Sequence, residues 1–245
     1  MSKTNILIKN MLAHRNKSQV AGLMRFFKTG PEQYGEGDKF LGIKVPITRA
    51  VVKECWEDMS LEKLEECIVN PYHEIRLAGL LCLVEIFSKA GKKKHEDLQK
   101  RCVDFYLAHT DRINNWDLVD LSCYNLLGKW LLDKDRTLLY DLARNGRSIW
   151  EKRIGIVSTM AFVRNGQLGD TFSIADIFIE NSDKAPLHDL LQKAVGWLLR
   201  EAGKKDVVLL RKFLNKRALK MPRTMLRYAI EKFPEPERSI YLLKG

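Results

Sequence analysis

The sequence predicts an all-α protein whose helices stack in pairs as an α-solenoid. Three observations carry this expectation. Apolar residues recur at three- and four-residue steps along nearly the whole chain, as in "IRLAGLLCLVEIF" (75–87). Alternating segments of the β type are absent. The breaks are short: Pro71, "RNG" at 144–146, "RNGQLGD" at 164–170, Pro186, Pro222 and Pro234. They leave about a dozen helical stretches joined by short loops. Such helices bury their apolar stripes by stacking pair on pair, which forms concave surfaces. The pairs are not strongly alike in sequence, so a globular bundle remains the alternative.

The bulk numbers narrow the function classes. With 245 residues and 45% hydrophobic content, the chain can bury a sizeable core. No linker rich in Ser, Pro or Gly divides it, so one domain over 1–245 is expected. The 42 basic and 31 acidic residues leave a net charge of +11. That excess suits a polyanionic partner, whose counterions Lys and Arg displace, or is merely a basic surface.

The elements follow in chain order. "MSKTNILIKNMLAHRNKS" (1–18) has scattered charges and no secretory apolar core. "KTGPEQYGEGDKFLGIKVP" (28–46) holds four of the 15 glycines and two of the seven prolines, so it is a long inter-helix loop. Gly35, Gly37 and Gly42 lack a following Gly-Lys-Ser/Thr and a flanking strand, which excludes a nucleotide-binding loop. A flexible or backbone-exposing loop near a nucleic acid is the expectation, with Lys39, Lys44 and Arg49 supplying charge. The longest uncharged apolar run, "LAGLLCLV" (77–84), falls far short of the roughly 18 residues of a membrane span. Five widely spaced cysteines read as buried thiols of a reducing cytoplasm. The five histidines form no HExxH or paired-ligand spacing, so no metal site is expected.

"NNWDLVD" (114–120) opens a helix. Asn114 or Asn115 serves as N-cap, and Asp117 in the first turn complements the helix dipole. Trp116 and Asp120 share a face that continues through Cys123 and Leu127. The carboxylate is the odd member. Either Asp120 ties down an Arg or a backbone N–H, or it faces a groove and does chemistry.

A helix over 148–163 places Trp150, Arg153, Val157 and Ala161 on one side, continued by Arg164. Arg153 lies on the wider apolar face, where a charge needs a partner: a carboxylate, helix-end carbonyls or a phosphate. In the 187–202 helix, Lys193, Trp197, Arg200 and Lys204 fall within roughly 60°, away from the apolar stripe. That face is either a packed Trp with snorkelling cations or a stacking surface set between phosphate-binding cations.

Three stretches, "NNWDLVD" (114–120), "WEKRIGIVST" (150–159) and "QKAVGWLLREAGK" (192–204), resemble the signature segments of the AlkD-type DNA alkylation repair glycosylases. "YGEGDKFLGIKVPITR" (34–49) and "LRYAIEKFPEPER" (226–238) agree, in the same order. The resemblance runs from about residue 20 to the C-terminus. It implies HEAT-like repeats with a basic concave cleft for double-stranded DNA carrying alkylated bases. It also implies hydrolytic removal of cationic N3- and N7-alkylpurines by a monofunctional enzyme without metal or cofactor. Trp116 and Asp120 match the family's catalytic Trp and Asp, Trp197 its second DNA-facing Trp and Arg153 its phosphate-binding Arg. The loop before "FLGIKVP" is longer than in compact members, and Phe26 stands where the family can carry an aromatic hydroxyl.

The expected site is therefore Asp120, Trp116 and Trp197 for catalysis, with Arg153, Arg164, Lys193, Arg200, Lys44 and Arg49 for DNA binding. A cytoplasmic monomer with no membrane partner is expected. The family also contains branches that bind DNA structure without excision, and a protein–protein adaptor on a helical-repeat scaffold is the third reading.

Overall fold

The computed structural model of the protein describes residues 5–182 and 185–243. Its contacts divide it into two compact units, Met1–Ser122 and Cys123–Gly245. The boundary falls within helical sequence and not at a linker, so composition gives no sign of it.

The first unit is built from α1 (Ile6–Ala13), α2 (Lys17–Phe26), α3 (Val45–Cys55), α4 (Leu61–Ile68), α5 (His73–Lys92), α6 (Glu96–Ala108) and α7 (Trp116–Cys123). Asn5, Asn16 and Ser60 cap α1, α2 and α4 by accepting first-turn N–H groups. The centre is α5, where every residue from His73 to Leu83 is buried. A segment apolar on all sides, such as residues 77–83, belongs inside, and α1, α3, α4 and α6 pack around α5. Each Leu it buries contributes about 1.5–3 kcal/mol of transfer free energy. By contrast, α2 has no buried residue.

The second unit opens with a π-helical turn at Tyr124–Gly128. It continues through α8 (Thr137–Asn145), α9 (Ile149–Val157), α10 (Met160–Arg164), α11 (Gly169–Ser182), α12 (Asp189–Lys205), α13 (Val207–Arg217), α14 (Arg223–Ala229) and α15 (Glu235–Leu243). Here α12 is central, packing on α9, α11, α13 and α14. A Cβ at Gly196 of α12 would stand 2.4 Å from the Met225 carbonyl oxygen of α14, so glycine permits this close approach.

Within each unit the principal packing partners are near neighbours in chain order, such as α4 with α5, α8 with α9 and α11 with α12. This is the contact pattern of a helical-repeat fold. Among the described residues there is no strand, only an isolated bridge between Lys39 and Tyr72. None of their helices is long and apolar enough to cross a membrane. All five cysteines are buried, and burial pushes the Cys67 thiol up to about 12.

One helix differs from expectation. The 148–163 stretch breaks at Ser158–Thr159 into α9 and α10. The Thr159 hydroxyl donates to the Ile156 carbonyl at 2.7 Å and lies 3.0 Å from the Thr171 hydroxyl. Such local side-chain bonds compete with the helix ladder. The helical wheel therefore does not run from Arg153 through to Arg164.

Candidate functional site

In the first unit, the aromatic–carboxylate pair stands at the start of α7. Asn115 precedes it and is buried; its side-chain oxygen accepts the Trp116 N–H at 2.8 Å, and its carbonyl accepts the Val119 N–H. Trp116 and Asp120 follow one turn apart, each partly exposed. The Trp116 ring stacks on Phe27, with centroids 5.4 Å apart and planes at 24°. Phe26, at the end of α2 and 60% exposed, meets Trp116 edge-on at 5.7 Å.

Beneath this face lies a charged cluster. His73, at the head of α5, places Nδ1 3.0 Å from Asp38 and Nε2 2.8 Å from Asp117. The Arg76 guanidinium donates to Asp38, and also to the Asn114 side-chain oxygen at 2.9 Å. All four charged residues are buried. Two carboxylates opposite two cations make the cluster neutral, the condition under which buried charge is tolerated. Burial alone would push the imidazole down. The Asp117 and Asp38 carboxylates reverse this and raise His73 to about 9. Burial likewise opposes ionisation of Asp38, but the His73 and Arg76 contacts hold it below the usual carboxylate range.

The next residue of α5 fixes the loop. The buried Glu74 carboxylate accepts the backbone N–H groups of Leu41, Gly42 and Ile43 at 2.9–3.1 Å. Gly42 has φ +86°, and a Cβ there would stand 1.9 Å from the Asn16 carbonyl oxygen. The expectation of a flexible loop offering its backbone to a nucleic acid is thus corrected for residues 41–43. Three successive amides converge there as in an anion-binding nest, but the protein's own carboxylate occupies it. Lys39, Lys44 and Arg49 remain exposed.

In the second unit, Trp197 is partly exposed on α12. The cations grouped around it have acidic neighbours. Lys193 pairs with Asp189 at 2.7 Å, Lys204 with Glu201 at 2.7 Å, and Arg200 with both Glu231 and Glu201. Exposed pairs of this kind are worth about 0–1 kcal/mol and exchange readily. Arg200 is the more enclosed, at 17% side-chain exposure. Arg153 is buried on α9 and donates to the Leu190 carbonyl in the first turn of α12. Arg164 is exposed at the end of α10, its guanidinium 4.5 Å from the Tyr124 ring centroid.

These features accompany a family match. The DNA alkylation repair enzyme family model matches residues 7–233. The chain belongs to the DNA alkylation repair enzyme family. The solved structure of a predicted DNA alkylation repair enzyme from Enterococcus faecalis is similar in fold, with a TM-score of 0.65 over 90% of this chain and 97% of that one. The two sequences are 16% identical, so this likeness speaks for the fold alone. No curated protein matches the chain.

The sequence singles out Trp116 and Asp120 but not what lies under them. Asp117, expected only to complement the helix dipole, is a buried partner of His73. A signal is present: His73, Glu74 and Arg76 crowd the first turn of a helix that runs apolar from Leu77 to Val84. Buried ionisable residues in such a position require partners.

Proposed function

We propose that this family member is a DNA glycosylase that hydrolyses the N-glycosidic bond of cationic N3- and N7-alkylpurines in duplex DNA. The observation that carries the reading is the presentation of Trp116 and Asp120 together, one turn apart and partly exposed, on α7.

The chemistry fits these two groups. An alkylated purine already bears a positive charge, so it leaves without an acid, a metal or a cofactor. The C1′–N bond breaks, its electron pair neutralises the departing base, and the sugar becomes oxocarbenium-like. The Asp120 carboxylate stabilises that charge and accepts a proton as water forms the new C1′–O bond. The Trp116 face adds cation–π attraction of roughly 0.5–2 kcal/mol. Arg153 and Trp197 are assigned to the duplex on their family correspondence. Lys44, Arg49, Arg164, Lys193 and Arg200 are assigned to its phosphates.

The test is release of base from duplex DNA carrying 7-methylguanine, by the wild type and by Asp120→Asn. Abasic sites from the wild type, and far fewer from the variant at unchanged DNA affinity, are expected. No release of any cationic lesion by the wild type would sink the reading and leave a DNA-structure binder. Binding that does not weaken between about 50 and 200 mM salt would point instead to an adaptor.

A further inference from the structure

We propose that His73 is a positioning residue for the α7 site: held as an imidazolium between Asp38 and Asp117, it sets both the start of α7 and the plane of the Trp116 ring. This inference rests on the glycosylase reading for its catalytic consequence, but not for the coupling itself.

The protonation state follows from geometry together with basicity. Each ring nitrogen of His73 lies within hydrogen-bonding distance of a carboxylate oxygen, at 3.0 Å from Asp38 and 2.8 Å from Asp117. A neutral imidazole has one N–H and one lone pair. Its lone pair would then face an anionic oxygen, unless an aspartate carried the proton. Asp38 is an unsuitable carrier, because Arg76 donates to its other oxygen. Asp117 spends its other oxygen on the Leu118 N–H at 2.8 Å. A carboxylic acid donating to the ring would satisfy the same contacts, but an imidazole is a stronger base than a carboxylate, so both ring nitrogens carry a proton.

Two routes lead from His73 to Trp116. The first is the backbone. Asp117 directly follows Trp116 and caps the first turn through Leu118, while Arg76 holds Asn114 just ahead. The second is a ring stack. His73 lies 4.7 Å from Phe40 and 4.8 Å from Phe27, and Phe27 in turn stacks on Trp116 at 5.4 Å. A cationic imidazole over phenyl faces is held more firmly than a neutral one.

The charged groups around His73 are Asp38 from the loop, Asp117 from α7, and Arg76 and Glu74 from α5 itself. Glu74 is committed to the Leu41–Ile43 amides. Loss of the His73 proton would leave two buried carboxylates against one guanidinium and set a lone pair against an anion. The one remaining N–H would serve only one aspartate, so the bridge from Asp38 through His73 to Asp117 would open and its hold on the start of α7 and on the ring stack would loosen.

The test follows three quantities across pH 6–10 in the full-length protein. Ring ¹⁵N shifts report the charge of His73. Tryptophan emission, corrected with Trp116→Phe, reports the Trp116 environment. Single-turnover release of 7-methylguanine, corrected for the enzyme-free rate, reports the reaction. All three should change together, with His73 still charged at pH 7.5. Asp117→Asn should move the common midpoint down by at least one pH unit, with less than threefold change in lesion-DNA Kd at pH 6.5. The wild-type curves suffice if that variant fails to fold. A neutral His73 at pH 7.5, or Trp116 emission that stays flat while His73 titrates, would overturn the inference. Coupled ¹⁵N and emission changes without base release at any pH would support the positioning relationship and remove the glycosylase reading.

Discussion

His73 Nε2 stands 2.8 Å from Asp117 Oδ2, directly under the helix turn that carries Trp116. The contact ties the head of α5 to the head of α7. It gives the first unit a stability that depends on a buried imidazolium. His73 is raised to about 9 in the folded protein, against about 6.5 in an unfolded chain. Its stabilisation is therefore complete below about pH 6.5 and lost as pH rises towards 9. Asp38, held low, contributes in the opposite sense: its stabilisation is present above about pH 4 and is lost as pH falls through the lowered value. Urea unfolding of the wild type and His73→Gln should differ by on the order of 3 kcal/mol at pH 6, with the gap narrowing by pH 9.

Trp116 has two neighbours with different roles. Phe27 supports its face, and Phe26 meets it from the exposed end of α2. Trp116→Ala removes the π-face and should slow single-turnover base release by about 2- to 30-fold, the range of a lost cation–π contact. Trp116→Phe keeps a ring on Phe27 and should slow it less. Equal rates for both variants would mean that the indole face takes no part.

Glu74 offers a prediction independent of the reaction. Its carboxylate receives three backbone donors. Glu74→Gln turns a donor group towards some of them and should cost about 2–3 kcal/mol. The same change should open residues 38–43 to trypsin at Lys39 and Lys44, both already exposed. Melting and timed proteolysis would check this.

The cations can be sorted by salt dependence. Each side chain that holds a phosphate should, when neutralised, reduce the slope of log K against log salt by about 0.9. Lys44, Arg49 and Arg164 are exposed, and Lys193 pairs with the exposed Asp189. Substituting each by Gln should lower the slope. Arg200 is more enclosed, between Glu201 and Glu231, and Arg200→Gln should lower it least.

Much of the fold was legible in the sequence, because helical periodicity is a local property. The apolar run from Ile75 to Phe87 lies within α5, and the 187–202 stretch lies largely within α12. The shared face of Trp116 and Asp120 was likewise readable, since four residues make about one helical turn. The break at Ser158–Thr159 was not, because apolar periodicity does not register the hydrogen bonds that the Thr159 hydroxyl makes with Ile156 and Thr171.

The sequence by itself determined the helices, the family segments and the pairing of an aromatic ring with a carboxylate on α7. Only the tertiary structure decided what holds that pair in place. His73 meets aspartates 35 and 44 residues away, and Arg200 meets Glu231 across 31 residues. Periodicity tells which side chains turn inward. It cannot tell which carboxylate each buried cation will find, because burying charge is resolved by partners that folding brings together from distant parts of the chain.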